Sequence, residues 1–378
     1  MSPAPSTAPG GEASQGATPP PDARESVDIM ARLPSVTPLL ACLTALRFVA
    51  ANGSSEGVGG GMSGRFGGGG SDRDGKLILE WTKHGVRMSL ERPSAVQASV
   101  LLPTDQFGEY TLISPPVSLC IDFETFCECS RVFGSDGFHR AGGGSDGGGA
   151  ALGMVDTVFA YQRRGALVTI LNRGNMTTQC SISTYSSPSM GNPFETEGDE
   201  YDEALTPTRI DYAAHMRRSP VVSTFVVNAA LLRDAANDLD WSARYAELKF
   251  SPNASPNFSL SMSSEQTGVS VSVSWPRSSE MFTSFDAKQS QEVCYNSAAL
   301  APALRALSCA TDAQIRVADD GLLQLRLLVP ITANKTRGAP STYANYYVMP
   351  LVDRDDFDAY GPMGAQEGQH DMPFHDDF

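Results

Sequence analysis

The sequence lacks most of the features that mark metal, redox and membrane proteins. Its five histidines are scattered, and its seven cysteines include no second pair at the spacing of a zinc site. No apolar run reaches the roughly 18–20 residues that a membrane-spanning helix needs. The first residues also lack the basic and then apolar pattern of a signal peptide. We therefore expect no metal site, no disulfide framework, no membrane span and no cofactor.

Basic residues are also scarce. The chain has 28 Lys and Arg against 43 Asp and Glu, which gives a formal net charge of −15. Proteins that hold DNA through their own charge are usually basic. The charge therefore excludes a strong stand-alone DNA binder over most of the surface. It leaves room for a local basic stripe, or for partner subunits that supply the remaining positive charge.

What is present is an ordinary globular composition, with 41% hydrophobic and 19% charged residues, in a chain of 378 residues that can form two domains. The Gly-rich stretches contain GxGxxG-like spacings, which arise only from the high density of glycine. None of them leads from a strand directly into a helix, so we predict no nucleotide loop.

Composition predicts, in order, a disordered N-terminal extension (1–26), a first domain (27–185) with Gly-rich inserts at about 53–75 and 137–153, an acidic connector (186–219), a second domain (220–352) and an acidic tail (353–378).

Within the two predicted domains most patterned segments alternate between polar and apolar residues, as β-strands do. Strands are predicted at 77–82, 86–90, 95–102, 109–113, 116–120, 155–161, 166–171, 177–183, 245–250, 257–262, 269–275, 313–317, 322–329 and 346–350. Helical periodicity is convincing only at 37–48, 122–133, 228–241 and 297–308. Each half therefore runs helix, strands, helix, strands. This order predicts an α+β fold of two tandem repeats, each an antiparallel sheet with two helices.

Several stretches resemble a known family. They are FGEY at 107–110, IDFETFCECSRVFGS at 121–135, YNSAALAPALRALS at 295–308, AQIRVADDGLLQLR at 313–326 and YYVMP at 346–350. Their order is similar to that in the Rad1 family, which supplies one subunit of the Rad9–Hus1–Rad1 checkpoint clamp. These clamps belong to the PCNA-like sliding clamps. The resemblance covers about residues 27–353 and implies the DNA-clamp fold, with four helices lining a central hole.

The resemblance also implies where DNA would lie. Each predicted helix carries one arginine on its polar face, and we predict that these four face the phosphates: Arg47, Arg131, Arg233 and Arg305. Weak phosphate contacts suit a ring that slides without reading sequence. The alternative is an arginine that pairs with an acidic neighbour. Glu128 lies near Arg131, and Asp234 lies next to Arg233.

Partners follow from the same resemblance. It implies Rad9-like and Hus1-like subunits, a Rad17-type clamp loader, double-stranded DNA, repair and signalling client proteins, and a nuclear location. Subunits would join edge to edge, through 177–183 in the first repeat and one of the strands between 245 and 275 in the second. Clients would bind an apolar pocket to which Tyr347, Met349 and Pro350 contribute. Ordinary strand-end packing is the alternative for these three residues.

Two other functions remain open. The sequence Asp122-Phe-Glu124-Thr resembles the first motif of DEDD-type 3′–5′ exonucleases, whose carboxylates hold two metal ions. The further motifs Tyr-x-x-x-Asp and His-x-x-x-x-Asp are absent from the sequence, and Asp122 also suits a helix N-cap. We therefore expect no enzymatic activity. The second alternative is a homotrimeric replication clamp of the PCNA type, which has the same fold.

Overall fold

A computed structural model describes residues 28–50, 75–92, 96–113, 115–134, 156–162, 165–173, 176–185, 211–264, 268–332 and 339–351. The predicted N-terminal extension, most of both glycine-rich inserts, most of the acidic connector and the acidic tail lie outside these residues. The boundaries proposed for them therefore remain predictions. Within the described segments, no helix combines the length and the apolarity that crossing a membrane requires.

The first half of the chain begins with a strand and a helix, continues with five strands and a second helix, and ends with three strands. The elements are β1 (Ile29–Leu33), α1 (Thr37–Ala50), β2 (Lys76–Thr82), β3 (Gly85–Arg92), β4 (Val96–Pro103), β5 (Glu109–Leu112), β6 (Val117–Asp122), α2 (Phe123–Gly134), β7 (Asp156–Tyr161), β8 (Leu167–Arg173) and β9 (Met176–Ile182). The β2–β3 turn needs Gly85, because its φ is +134° and a Cβ there would lie 2.2 Å from the Leu102 carbonyl oxygen.

The second half repeats this order after one additional short helix. The elements are α3 (Tyr212–Arg218), β10 (Val221–Asn228), α4 (Ala229–Asn237), β11 (Tyr245–Phe250), β12 (Phe258–Ser264), β13 (Val269–Trp275), β14 (Phe282–Ala287), β15 (Gln291–Asn296), α5 (Ser297–Arg305), β16 (Asp312–Ala318), β17 (Leu323–Pro330) and β18 (Ser341–Val348). A 3₁₀ turn at Ala306–Cys309 extends α5.

The four predicted helices correspond to α1, α2, α4 and α5, and the class is α+β as predicted. A fifth helix, α3, was not predicted, and it lies within the predicted connector. The strands β1, β10, β14 and β15 were also missed. The last strand was placed too late, since β18 ends at Val348 and Pro350 makes only an isolated bridge to Tyr295. Proline lacks the N–H that a longer ladder would require.

The described strands form three antiparallel sheets. Their orders are β5-β1-β7-β8-β9, then β14-β10-β16-β17-β18-β4-β3-β2-β6, then β13-β12-β11-β15. The chain folds into two compact units. One contains the described residues of Met1–Leu40, Lys76–Met88 and Leu101–Ser189, and the other those of Ala41–Gly75, Ser89–Val100 and Met190–Phe378.

Aromatic side chains mark the core of each unit. In the first unit Trp81 is 2% exposed and stacks on Tyr110 with ring centroids 6.0 Å apart. In the second unit Phe225 is fully buried and stacks on Phe285 at 5.2 Å. These cores lie where alternating strand residues point inward, which explains why the strand pattern was readable in the sequence.

The element order shows an internal repeat. In each half a strand and a helix precede five strands, a second helix and three final strands, so β4 corresponds to β13 and β9 corresponds to β18. β18 pairs with β4, with Ala344 opposite Val100 and Val348 opposite Val96. All of these paired residues belong to the second unit. By contrast, β9 and β13 each end a sheet in the described part of the chain.

Candidate functional surfaces

The four predicted DNA-facing arginines lie on four different helices. Arg47, Arg131 and Arg305 are exposed, and each lies in the last turn of its helix. A cation at that position also stabilises the negative end of the helix dipole. Arg131 and Arg305 make no ion pair with any residue that the structure describes. These two, with Arg47, are therefore available to an external anion.

Arg233 differs from the other three. Its Nε and Nη2 atoms donate hydrogen bonds to Oδ1 of Asp234 at 3.0 and 2.7 Å. Both side chains are partly exposed, and the pair lies in the middle of α4. Its charge is therefore already compensated, as the alternative interpretation of the sequence anticipated for this residue.

Two contacts that the sequence did not reveal hold α1 in place within the second unit. The fully buried Tyr346 hydroxyl donates to the Ala45 carbonyl, and burial raises the pKa of Tyr346 well above its ordinary value. Arg92 donates from Nη2 to the Val49 carbonyl at 3.0 Å and from Nη1 to the Ala298 carbonyl at 3.4 Å. Arg92 therefore joins the end of α1 to the start of α5. No periodicity signals such a contact, because its partners are backbone carbonyls distant in sequence.

The predicted client pocket is already filled by the chain itself. Tyr347 is only 6% exposed and belongs to a cluster of buried apolar residues, with Met349 packed at its margin. The other buried members are Tyr212, Met216, Ala318 and Leu322. Tyr212 and Met216 come from α3, so the helix missed in the sequence covers this surface. The sequence signals for α3 are the i, i+4 spacing of these two residues and Asp211, which caps its start.

Pro350 lies beside this cluster, against a glycine turn. The φ of Gly321 is +83°, and a Cβ at that position would lie 3.1 Å from side-chain atoms of Pro350 and Val293. Glycine is therefore required both for the backbone conformation and for the close packing of Pro350. The Tyr295 hydroxyl donates a hydrogen bond to the Gly321 carbonyl oxygen at 2.8 Å and holds this turn in place.

A polar contact holds α3 at this turn. Nε2 of His215 contacts Oδ2 of Asp320, and the Asp320 carboxylate also accepts a hydrogen bond from the Leu322 N–H at 3.0 Å. Partial burial of Asp320 opposes its ionisation, but the hydrogen bonds from His215 and Leu322 outweigh burial and lower the pKa of Asp320. No pattern in the sequence indicates this pair.

The predicted subunit edges coincide with edge strands. β9 ends one sheet and β13 ends another in the described part of the chain. The β13 sequence, VSVSVSW, contains no charge and no proline, and Val269 is 49% exposed. Edge strands that must avoid pairing usually carry charges or proline. β13 therefore has the properties of an edge that pairs with another chain.

The exonuclease motif has a structural role. Oδ1 of Asp122 accepts a hydrogen bond from the Thr125 N–H at 2.7 Å, which is the N-cap contact at the start of α2. Glu124 is exposed in the first turn, where a negative charge is favourable. Over the described residues, no group of three or more His, Cys, Asp or Glu side chains converges on a possible metal position.

Comparison with known proteins identifies relatives by sequence. The family model "Repair protein Rad1/Rec1/Rad17" matches residues 71–329. The cell cycle checkpoint protein RAD1 of Homo sapiens is 23% identical over 269 residues, which cover 71% of this chain and 81% of the human protein. The protein of the same name from Mus musculus is 24% identical over 270 residues, with 71% and 82% coverage.

Solved structures show the fold. The proliferating cellular nuclear antigen of Entamoeba histolytica has a TM-score of 0.53 at 10% identity, and the match covers 86% of this chain and 99% of that one. The PCNA of Thermococcus kodakaraensis has a TM-score of 0.51 at 14% identity, with 85% and 100% coverage. The predicted DNA-clamp fold is thereby confirmed. Because the family model matches more than half of the chain, this protein belongs to the Rad1/Rec1/Rad17 repair-protein family, with the fold of a sliding clamp.

Proposed function

We propose that this chain is the Rad1-like subunit of a heterotrimeric DNA sliding clamp, joined to a Rad9-like and a Hus1-like subunit. A Rad17-type clamp loader places the ring on double-stranded DNA at damaged sites in the nucleus. There the ring serves as a platform for checkpoint signalling and repair proteins. Membership of the family supports the checkpoint role, and the clamp fold supports enclosure of DNA without catalysis.

The proposal that the subunits assemble into a ring rests on the internal repeat. The last strand of the second repeat, β18, pairs antiparallel with β4, the fourth of the first six strands. Their counterparts β9 and β13 have the same places in the repeat but end their sheets in the described part of the chain. Pairing β9 of one subunit with β13 of the next would reproduce the β18–β4 junction between chains. Three subunits joined in this way extend the same arrangement into a ring.

Enclosure explains how an acidic protein can work on DNA. The net charge of −15 opposes tight binding to phosphates, whereas a closed ring needs only weak contacts to remain mobile. We assign those contacts to Arg47, Arg131 and Arg305, and to a lesser degree to Arg233. The ring reads no base sequence, since phosphate contacts carry none.

Assembly tests the proposal directly. The chain would be expressed alone and together with the Rad9-like and Hus1-like proteins of the same organism, and the mass of each complex measured by light scattering after size-exclusion chromatography. We expect a monomer alone and a 1:1:1 complex with both partners. A stable homotrimer of the chain alone would instead establish a PCNA-type clamp and contradict the proposal. Failure to form any complex with either partner would also contradict it.

A further inference from the structure

Two cysteines of the first unit lie side by side, one on a helix and one on an edge strand. Cys129 belongs to α2 and Cys180 to β9, and these two elements pack against each other. Both side chains are half-buried, and their thiols interact directly. About 50 residues separate the two cysteines in the sequence, so only the fold brings them together.

The alternation of β9 explains why Cys180 faces inward. Successive strand residues point to opposite sides of a sheet. Cys180 is on the same side as Ile182, which is 3% exposed. The residues of the other side are exposed: Thr177, Gln179 and Ser181. The thiol of Cys180 therefore points toward the layer that contains α2, and not toward the solvent face of the strand.

The two elements are held to different degrees. On α2 the side chains of Phe123 and Phe126 are 0% and 2% exposed, and Oγ of Ser130 donates a hydrogen bond to the Phe126 carbonyl oxygen at 2.7 Å. By contrast, β9 pairs with β8 on one side and ends its sheet in the described part of the chain. A covalent link between the two cysteines would therefore attach a weakly held strand to a firmly packed helix.

The two thiols are stable until an oxidant arrives. Burial, and then interaction with the Cys180 thiol, raise the pKa of Cys129 to about 11. Near neutral pH the Cys129 thiol therefore keeps its proton, and the thiolate is the reactive form. Hydrogen peroxide supplies the oxidising power. Both S–H bonds and the peroxide O–O bond break, one S–S bond forms, and the two thiol protons leave in two molecules of water.

We propose that Cys129 and Cys180 form a redox modification site, at which hydrogen peroxide creates a disulfide that fastens the edge strand β9 to α2. The bond is reversible, because thiols reduce it again by exchange. In a reducing compartment it is therefore a transient response to oxidation. It differs in this respect from the permanent disulfide framework that the sequence excludes.

The consequence for assembly rests on the proposed function, in which β9 joins the next subunit. A strand that is already fixed loses less conformational freedom when it pairs with a neighbour. Oxidation should therefore strengthen the junction between β9 and the neighbouring subunit.

Peptide mapping of the full-length protein tests the disulfide itself. The chain is treated with hydrogen peroxide, the peroxide is removed with catalase, and free thiols are blocked with N-ethylmaleimide before digestion with trypsin. Mass spectrometry should show residues 88–131 linked to residues 174–209, with fragmentation placing the bond at Cys129 and Cys180. We expect this link to be at least tenfold more abundant than any other cysteine pair. Its absence, or a bond from Cys180 to Cys120 or Cys127, would overturn the proposal.

The matched control is Cys294→Ser, which removes a half-buried cysteine from an edge strand of the second unit. This variant should form the same link in the same yield, whereas Cys180→Ser should form none. A loss of the link in the control equal to that in Cys180→Ser would contradict the assignment.

Hydrogen exchange measures whether the bond fastens β9. In the oxidised chain the amides of Met176–Ile182 should exchange at least threefold more slowly than in the reduced chain, and dithiothreitol should restore the original rates. Unchanged exchange would overturn the proposed effect on the strand. This comparison needs no substitution, so it is decisive even if Cys180→Ser does not fold.

Assembly is measured last, by mixing the oxidised or reduced chain with reduced Rad9-like and Hus1-like subunits. The dissociation constant of the complex should be at least threefold lower for the oxidised chain, and an unchanged value would refute the effect on assembly. If neither form of the chain assembled, the proposed clamp would be refuted. Peptide mapping and hydrogen exchange on the chain alone would still decide the disulfide.

Discussion

At the scale of single residues, adjacent side chains on one strand have separate functions. Tyr346 fixes α1 from one face of β18, and Tyr347 supports α3 on the other. Tyr347 also accepts a hydrogen bond from Nε2 of Gln324 at 3.1 Å, which satisfies its hydroxyl in a buried position. Both tyrosines were part of the family resemblance, but only Tyr347 was expected to have a functional contact.

Replacing Tyr346 by phenylalanine should destabilise the protein. The ring remains, but the hydrogen bond to the Ala45 carbonyl is lost inside the core. We expect the free energy of unfolding, measured by urea denaturation, to fall by about 1–2 kcal/mol. Tyr343→Phe is the matched control on the same strand, because Tyr343 is 44% exposed. It should change stability by less than about 0.5 kcal/mol. Equal losses in both variants would contradict the assignment.

Arginine variants should separate phosphate contacts from internal ion pairs. Reversing Arg47, Arg131 and Arg305 to glutamate should reduce loading of the assembled ring on DNA by at least tenfold. Each reversal replaces a weak attraction to phosphate by repulsion. Arg233→Glu alone should have the smallest effect of the four single reversals, because Asp234 already compensates its charge. The test is the amount of ring that a clamp loader places on circular DNA, measured by gel filtration, and an unchanged amount would refute the predicted contacts.

At the scale of elements, local capping supports helices that apolar periodicity predicted. Oδ1 of Asn228 accepts from the Ala230 N–H at 2.9 Å at the start of α4, and Asn296 makes the same contact with Ala298 before α5. These side chains satisfy N–H groups that a helix start leaves free. Capping is set by neighbouring residues in the sequence, so it is readable without the tertiary fold.

Asp122 should behave as a cap and not as a metal ligand. Asp122→Asn should keep stability within about 0.5 kcal/mol, because asparagine caps as well as aspartate, whereas Asp122→Ala should lose about 1 kcal/mol. Chemical denaturation gives both values. Incubation of the purified protein with labelled single-stranded DNA and Mg²⁺ or Mn²⁺ is the companion assay. Degradation that either substitution abolishes would reinstate the exonuclease alternative.

A charge placed in β13 should block assembly. Natural edge strands use inward-pointing lysines to prevent pairing, and Val271 is a half-buried residue near the middle of this edge. We expect Val271→Lys to abolish the 1:1:1 complex with the Rad9-like and Hus1-like subunits while the monomer stays folded. Ser284→Lys, on the edge strand β14, is the control and should assemble normally. A normal yield of complex from Val271→Lys would exclude β13 as the joining edge.

At the scale of the whole molecule, enclosure and binding by charge predict opposite responses to salt. At about 1 M NaCl the Debye length falls to about 3 Å, and phosphate contacts are largely screened. A ring loaded on closed circular DNA should nevertheless remain, because it is held by topology. Linearising the same DNA should release it. Gel filtration before and after cutting measures both states, and salt-dependent loss from the uncut circle would contradict enclosure.

The sequence by itself determined the repeat, most strands and four helices, because side-chain periodicity and helix caps depend on near neighbours. It could not supply β14, in which only Phe285 is buried, nor α3, which lies in the predicted acidic connector and is stabilised by Leu322 and Tyr347, residues distant in the chain. The sequence also named Arg233 without revealing whether its charge is free. Only the tertiary structure showed that Arg233 pairs with Asp234 and that α3 covers Tyr347, because side-chain geometry and contacts between distant segments leave no periodic trace in the chain.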